Sequence, residues 1–227
     1  MMNDHLPFID AAYIQSEDGY HFNSDTVLLG LFLPSLKGKS VLDIGTQGGA
    51  LLLYAAAKGA EKLTGIDINE DALELAEENL SAYEAELTCC ALQQFRHEEF
   101  DVILCNPPFY ADSPRQFLSL QQAMNRSYLP PEVLLRKARS LLKSNGSLYM
   151  IYPSSGLNEL QRSAAENDFS LHELCPVYDG EASQAVRMLL TWKRGSSGEC
   201  RILAPRYIRE GKIVSSFDDR FIFPKVS

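Results

Sequence analysis

Ser40-Val41-Leu42-Asp43-Ile44-Gly45-Thr46-Gln47-Gly48-Gly49 is the stretch of sequence that decides the fold. Its first half is a short apolar run typical of a buried strand, and its second half is a glycine-bearing turn. Residues 50–58 then show a helical pattern. Because strands and helices go on alternating along the chain, the sequence predicts a mostly parallel sheet with helices on both faces.

Six further strands and three further helices continue this alternation. The strands are predicted at 62–67, 86–90, 100–105, 147–152, 171–177 and 186–193, and the helices at 70–82, 131–142 and 157–167. On the helix at 70–82, the apolar side is predicted to consist of Ala72, Leu75, Ala76 and Leu80. No helix separates the last two strands, so we expect them to pair antiparallel at the edge of the sheet.

The segment before the sheet is predicted to form a hairpin and a short helix. Residues 12–15 and 20–22 are its two arms, and Asp18-Gly19 is a dipeptide that favours a hairpin turn. Asn23 or Ser24 can cap the helix, which Pro34 ends. The chain is therefore divided into residues 1–36 (N-terminal hairpin and helix), 37–194 (core) and 195–227 (C-terminal extension packed on the core).

Charge is distributed unevenly over the 227 residues, whose formal net charge is −9. Residues 1–110 carry 5 basic and 18 acidic side chains, whereas residues 111–227 carry 16 and 12. Phosphate contacts depend on local positive potential rather than on the total, so this distribution permits a nucleic-acid partner.

Several classes of protein are disfavoured by the composition. No stretch approaches the roughly 20 apolar residues of a membrane span, and the first residues lack the basic and apolar regions of a signal peptide. The five cysteines form no C-x-x-C pair, and the histidines do not lie beside them at zinc-ligand spacing, so no metal site is predicted. We expect a cytoplasmic protein that is a monomer or a weak dimer.

The glycine-bearing turn is a candidate ligand-binding loop. In an open α/β sheet, ligands bind outside the carboxyl ends of the strands, where glycines let a ligand approach the backbone. Asp67 closes the next strand, where its carboxylate can accept both hydroxyls of a ribose. The pattern D-x-G-x-x-G-G matches neither the phosphate-binding loop nor the dinucleotide fingerprint, so an adenosine ligand without a pyrophosphate fits better.

Asn106-Pro107-Pro108-Phe109 is the most informative tetrapeptide, because it directly follows an apolar strand and so lies at the same sheet edge. The Asn106 side-chain oxygen and the Pro107 carbonyl can accept both hydrogens of a planar –NH₂ group. Phe109 offers a face on which a flipped-out base can stack. This arrangement indicates a clamp that holds an exocyclic amine.

These motifs together resemble the class I methyltransferases of the N6-adenine type, and more narrowly the bacterial tRNA1(Val) adenine-N6 methyltransferases. The resemblance runs nearly end to end and includes the segment at 22–30, Arg126, and Gly198-Glu199-Cys200. It implies a Rossmann-like class I methyltransferase fold with a mostly parallel seven-stranded sheet whose last strand is antiparallel.

The resemblance also implies S-adenosylmethionine as the cofactor and tRNA, at adenine 37 of tRNA1(Val), as the substrate. Asp43 and Gly45 would lie near the methionine part, Asp67 at the ribose, and the segment around Asp25 would close over the cofactor. Asn106, Pro107, Pro108 and Phe109 are the predicted catalytic residues, and Phe109 and Arg126 the predicted RNA contacts. The predicted cofactor-binding residues are Asp25, Asp43, Gly45, Gln47, Gly49, Asp67, Gln93 and Asn106.

The sequence departs from the family pattern at two places. Gln47 stands where the family has its middle glycine, so its side chain must point away from the cofactor or narrow the pocket. After the third strand the family has an aspartate for the adenine amino group, whereas this chain has Gln93 as the substitute acceptor.

Other functions remain open at this point. A guanine-N2 rRNA methyltransferase or a glutamine-N5 protein methyltransferase would share the Asn-Pro-Pro-aromatic motif. A catalytically silent binding module with this fold is the alternative from another class, and the two departures motivate it.

Overall fold

The computed structural model describes residues 2–15, 22–107, 129–180, 182–195, 198–209 and 212–213. Pro108, Phe109 and Arg126, three of the predicted site residues, lie outside this described part of the chain. The strands found there are β1 (Met2–His5), β2 (Ala12–Gln15), β3 (Ser40–Ile44), β4 (Lys62–Asp67), β5 (Ala85–Cys89), β6 (Phe100–Cys105), β7 (Leu142–Pro153), β8 (Phe169–Asp179), β9 (Arg187–Arg194), β10 (Arg201–Ile202), β11 (Arg206–Arg209) and β12 (Lys212–Ile213). The α-helices are α1 (Ser24–Phe32), α2 (Ala50–Ala57), α3 (Glu70–Asn79), α4 (Pro131–Leu141) and α5 (Leu157–Glu166).

The predicted fold class is confirmed. The main sheet has the order β12-β11-β8-β9-β7-β6-β3-β4-β5, and the five strands β3 to β7 pair parallel with one another. β9 pairs antiparallel with β8, as expected for two strands without a helix between them, and it also pairs antiparallel with β7. The C-terminal extension adds to the sheet, because β10 and β11 each pair parallel with β8. The predicted seven strands are therefore extended beyond β8, and β8 is not an open edge.

The sheet separates two hydrophobic clusters. Successive residues of a strand point to opposite faces, so Val41 belongs to one cluster and Leu42 to the other, and the same holds for Leu104 and Ile103. Helices α1, α2 and α3 cover the first face, and α4 and α5 cover the second. This is the two-sided covering that the alternation of strands and helices predicts.

Two local predictions need correction. On α3 the buried positions are Leu73 and Ala76, with Leu80 at its end, whereas Leu75 is only half-buried, because the helix is rotated toward Leu73. In the N-terminal segment, the predicted strand at 12–15 is confirmed, but its partner is β1. Of the predicted second arm, Tyr20 and His21 lie outside the described residues, and Phe22 is not in a strand.

Asn23, rather than Ser24, caps α1. Its side-chain oxygen accepts a hydrogen bond of 3.0 Å from the backbone N–H of Thr26. Within the described part of the chain, no helix is both long and apolar enough to cross a bilayer.

Candidate functional site

The site lies where the strand order reverses. β3 pairs with β4 on one side and with β6 on the other, and all three run parallel, so their carboxyl ends share one edge of the sheet. The chain leaves β3 toward β4 and β5 and returns to β6 on the far side. Such a reversal leaves a crevice outside the strand ends, which is where open α/β sheets bind ligands.

A cleft opens at this edge, with about 310 Å³ of empty space when the open solvent at its mouth is counted. Residues from three separated parts of the chain line it: the N-terminal segment, the turn after β3, and the end of β6. They are Tyr13, Phe22, Thr26, Asp43, Gly45, Thr46, Gln47, Ala50, Leu51 and Asn106. The cleft therefore brings Asp43, Gly45, Gln47 and Asn106 together.

Asp43 is the most unusual side chain in the cleft. It is 1% exposed, and neither carboxylate oxygen has a hydrogen-bond partner among the described residues. Burial raises the pKa of Asp43 to about 7; the nearby Thr46 hydroxyl opposes this rise, and the negative charge of Asp67 adds to it. A buried carboxylate without partners costs folding free energy unless a ligand supplies donors or positive charge.

The turn after β3 places three residues in the left-handed region, with φ of 76° at Gly45, 48° at Gln47 and 84° at Gly49. A Cβ added at Gly45 would meet no atom within 4 Å, so the backbone there is open to a ligand. Gln47 thus has the backbone conformation of a glycine, and its side chain is exposed at the cleft. At Gly49 packing also favours glycine, since a Cβ there would lie 3.0 Å from the side chain of Leu80, and its role at a cofactor stays a prediction.

Asp67 holds this turn against β4. One of its carboxylate oxygens accepts from the backbone N–H of Gln47 and the other from that of Asn69, both at 2.9 Å. The carboxylate is half-exposed at the end of β4, next to the turn, although it is not among the residues that line the cleft.

Asn106 and Pro107 directly follow β6, and Asn106 lines the cleft. The Asn106 side chain donates from Nδ2 to the hydroxyl of Thr26 at 3.2 Å, and Pro107 is buried. Pro108 and Phe109, which come next, lie outside the described residues, and their role stays a prediction.

Two other predicted residues are placed away from the cleft lining. Asp25 is 8% exposed and its carboxylate accepts from Arg187 Nε at 3.2 Å; burial raises its pKa and Arg187 lowers it in part. Gln93 is exposed on the loop after β5, where its backbone carbonyl accepts from Arg96 at 2.8 Å. Their role at a cofactor stays a prediction.

Tyr13 is a cleft residue that the sequence analysis missed. It is 3% exposed, its ring meets Phe22 edge to face at 5.3 Å between centroids, and burial together with the Asp43 charge raises its pKa well above its usual value. A Cβ at Gly48 would lie 2.4 Å from the Tyr13 hydroxyl oxygen, so the turn must carry glycine there. The only signal in the sequence was an aromatic residue in a predicted strand.

Asn79 is a second missed residue, and its hydrogen bonds connect β2 to the turn after β3. Its side-chain oxygen accepts from Ile14 N at 2.6 Å, and its amide nitrogen donates to the carbonyls of Ile14 and Gly48, both at 2.9 Å. No sequence pattern pointed to this residue. The described residues contain no cluster of His, Cys, Asp or Glu suited to a metal ion.

Comparisons with known proteins bear on this cleft. The family described as "Methyltransferase small domain" matches residues 16–159. A tRNA1(Val) (adenine(37)-N6)-methyltransferase of Flavobacterium johnsoniae is 33% identical over 205 residues, which cover 83% of this chain and 84% of that protein. A protein of the same name from Shewanella halifaxensis is 32% identical over 155 residues, covering 64% of this chain and 63% of that protein.

Solved structures share the fold at low sequence identity. A methyltransferase from Pyrococcus furiosus superposes with a TM-score of 0.60 at 19% identity, covering 82% of this chain and 90% of that one. SMU.776, described as a methyltransferase and complexed with SAH, has a TM-score of 0.60 at 17% identity, covering 81% of this chain and 53% of that one.

Proposed function

We propose a function for this chain from one premise: it belongs to the methyltransferase small domain family and is an S-adenosylmethionine-dependent methyltransferase. The proposed reaction is transfer of a methyl group to the exocyclic N6 amine of adenine in tRNA, at adenine 37 of tRNA1(Val). The observation that carries the proposal is that Asn106, an acceptor for an –NH₂ group, lines the same cleft as Asp43, whose carboxylate has no hydrogen-bond partner among the described residues.

The cleft has the chemistry that S-adenosylmethionine requires. The cofactor carries a methyl group on a positively charged sulfonium and an ammonium on its methionine part. These positive charges could compensate the negative charge of a buried carboxylate such as Asp43. Asp43 would meet this positive charge, the open backbone at Gly45 would allow close approach, and Asp67 would accept from the ribose. Gln47 does not block this arrangement by its backbone, since it adopts a left-handed conformation of the kind that glycine favours.

Asn106 acts by orientation in this proposal. An amide has no useful basicity, so Asn106 accepts a hydrogen from the amine and holds the nitrogen toward the methyl donor, and the amine loses its proton after transfer. The carbonyl of Pro107 is the second acceptor of the clamp. Pro108 completes the rigid turn, and Phe109 stacks on the base.

The substrate assignment is supported by the names of the relatives and by charge. Residues 111–227, which include Arg126, carry a net charge of +4, against −13 for residues 1–110. A tRNA approaching the cleft would therefore make its phosphate contacts with the C-terminal half. We propose a cytoplasmic enzyme, as a tRNA substrate requires, acting as a monomer or a weak dimer.

The N-terminal residues 1–36 close over the cofactor in this proposal. Tyr13, Phe22 and Thr26 already form one wall of the cleft, and the ion pair between Asp25 and Arg187 holds the first turn of α1 against the core. Residues 37–194 form the catalytic core and residues 195–227 extend it.

A substrate panel tests the assignment. The purified protein is incubated with labelled S-adenosylmethionine and, separately, unmodified tRNA1(Val), the same tRNA with guanine in place of adenine 37, ribosomal RNA and release factor. We expect N6-methyladenosine, identified by mass spectrometry of nucleosides, in the first RNA and none in the guanine-substituted RNA. Label in guanine of ribosomal RNA, or in protein alone, would contradict the proposal.

Asn106→Ala tests the clamp. We expect it to reduce turnover at least 100-fold, because the amine loses its orienting acceptor, while calorimetry finds the affinity for S-adenosylmethionine within about threefold of wild type. Asn145→Ala is the matched control, since Asn145 is exposed at the other edge of the sheet, and its turnover should be that of wild type. Normal turnover by Asn106→Ala would show that the amide has no orienting role.

A further inference from the structure

Three polar side chains form a continuous chain of hydrogen bonds between the start of α1 and the end of β6. The Thr26 hydroxyl lies 3.3 Å from Asn23 Oδ1, and Asn106 Nδ2 lies 3.2 Å from the Thr26 hydroxyl oxygen. Asn106 is 80 residues from Thr26 in sequence, so only the tertiary fold brings this chain together.

The hydrogens in this chain can be assigned from one fixed donor. The backbone N–H of Thr26 can only donate, and it lies 3.0 Å from the Asn23 side chain, so the atom there is the oxygen Oδ1. The Thr26 hydroxyl lies 3.3 Å from that same oxygen and donates its one hydrogen to it. With that hydrogen used, its oxygen can only accept from Asn106, so the Asn106 atom facing Thr26 must be the –NH₂ nitrogen.

The direction of these hydrogen bonds decides which atom of the Asn106 amide faces the cleft. With Nδ2 held by Thr26, Oδ1 is the amide atom left to face a ligand. In the reversed orientation, Asn106 would present two donors to an amine that also presents donors, and no hydrogen bond could form. Pro107 restricts the backbone of Asn106, so the rotation of the side-chain amide is the main freedom that remains.

We propose that Thr26 and Asn23 are positioning residues that hold the Asn106 amide with Oδ1 toward the amine to be methylated. This inference rests on the proposed function for its catalytic consequence, but the orientation itself is independent of which amine is the substrate. The helix cap of α1 thereby has a second task, because the oxygen that caps the helix also sets the polarity of the clamp.

Thr26→Val and Thr26→Ser are the matched pair that tests it. Valine has nearly the shape of threonine but lacks the hydroxyl, whereas serine keeps it. We expect Thr26→Val to lower kcat about 3- to 10-fold, the range for losing one hydrogen bond, with the Kd for S-adenosylmethionine within about twofold. Thr26→Ser should restore kcat to within about twofold of wild type. Equal kcat for the two variants, or a weaker Kd with unchanged kcat, would overturn the proposal.

A second variant shows whether Thr26 acts through Asn106. In an Asn106→Ser background the side chain is too short to reach Thr26 but keeps an acceptor. Adding Thr26→Val to that background should then leave kcat unchanged within about twofold, as expected when two residues act as one unit. A full additional loss would mean that Thr26 acts by another route.

A measurement without substrate separates this inference from the proposed function. The side-chain –NH₂ signals of Asn106 in a ¹⁵N-labelled sample can be assigned by their loss in Asn106→Ala. We expect their exchange with solvent to be slower in wild type and Thr26→Ser than in Thr26→Val. Identical exchange in all three would overturn the orientation, whereas slow exchange combined with no adenine methylation would refute only the proposed function.

Discussion

Replacing Asp43 by Asn should make the ligand-free protein more stable above neutral pH, because it removes a buried charge without changing the shape of the side chain. Asp43 is fully buried, its oxygens have no hydrogen-bond partner in the part of the chain that the structure describes, and burial raises its pKa from 3.8 to about 7. Between pH 3.8 and about 7, the folded protein therefore keeps the proton on Asp43, whereas the unfolded chain has lost it. Stability from this group is fully present below the unfolded pKa and is lost as pH rises through about 7.

The size of the effect follows from the shift. A shift of about three pKa units, at 1.36 kcal/mol each, means that wild type loses at most about 4 kcal/mol of unfolding free energy above pH 8, compared with a pH below the unfolded pKa. Part of that is already lost at pH 5, so the advantage of Asp43→Asn over wild type should grow by about 2.5 kcal/mol between pH 5 and pH 8. The same change should weaken binding of S-adenosylmethionine by roughly 10- to 100-fold, because the positive charge of the ligand loses its partner.

Urea unfolding at pH 5, 6, 7 and 8, without cofactor, measures the first effect, and calorimetry measures the second. Asp101→Asn is the control of opposite sign. Burial alone would raise the pKa of Asp101, but hydrogen bonds from Lys143 and Ser40 hold it at about 2. Asp101→Asn should therefore destabilise by an amount that does not change between pH 5 and pH 8. If Asp43→Asn is no more stable than wild type at pH 8, or its advantage is constant with pH, the reasoning is wrong.

Two further substitutions test the backbone and the packing. Gln47→Gly relieves a left-handed φ, whereas Gln94→Gly, in an exposed turn without positive φ, only adds freedom to the unfolded chain, so urea unfolding should find the first variant about 1 kcal/mol more stable than the second. Equal stabilities would show that Gln47 is not strained. Gly30→Ala should lower the unfolding free energy by about 1–3 kcal/mol, since its Cβ would lie 2.3 Å from the buried ring of Tyr54. A Gly30→Ala protein as stable as wild type would mean that the ring can move freely.

The strands, the helices and the shared edge of the site follow from local pattern. Apolar runs separated by helical segments predict parallel strands, and parallel strands bring their carboxyl ends to one edge, so the sequence is enough to place Asp43 and Asn106 together. The prediction holds because it depends only on strand direction, not on the detailed packing of side chains.

Orientation of side chains at that edge could not be predicted in the same way. Asp25 is a cleft residue by motif, yet its carboxylate is paired with Arg187, which lies 162 residues further along the chain. Gly49 has the position of a ligand-binding glycine, yet it is buried and a Cβ added there would lie 3.0 Å from the side chain of Leu80. Both outcomes depend on which neighbour the fold brings close, and no local pattern contains that information.

The chain's own sequence determined the class of fold, the direction of its strands and the position of Asn106 at the end of β6, because periodicity and proline geometry act over a few residues. Only the tertiary structure decided that β1 pairs with β2, that Tyr13 forms a wall of the cleft, and that Thr26 meets Asn106. The last two of those contacts join segments that are distant along the chain, and their energies come from packing and hydrogen bonds that exist only once the chain has folded.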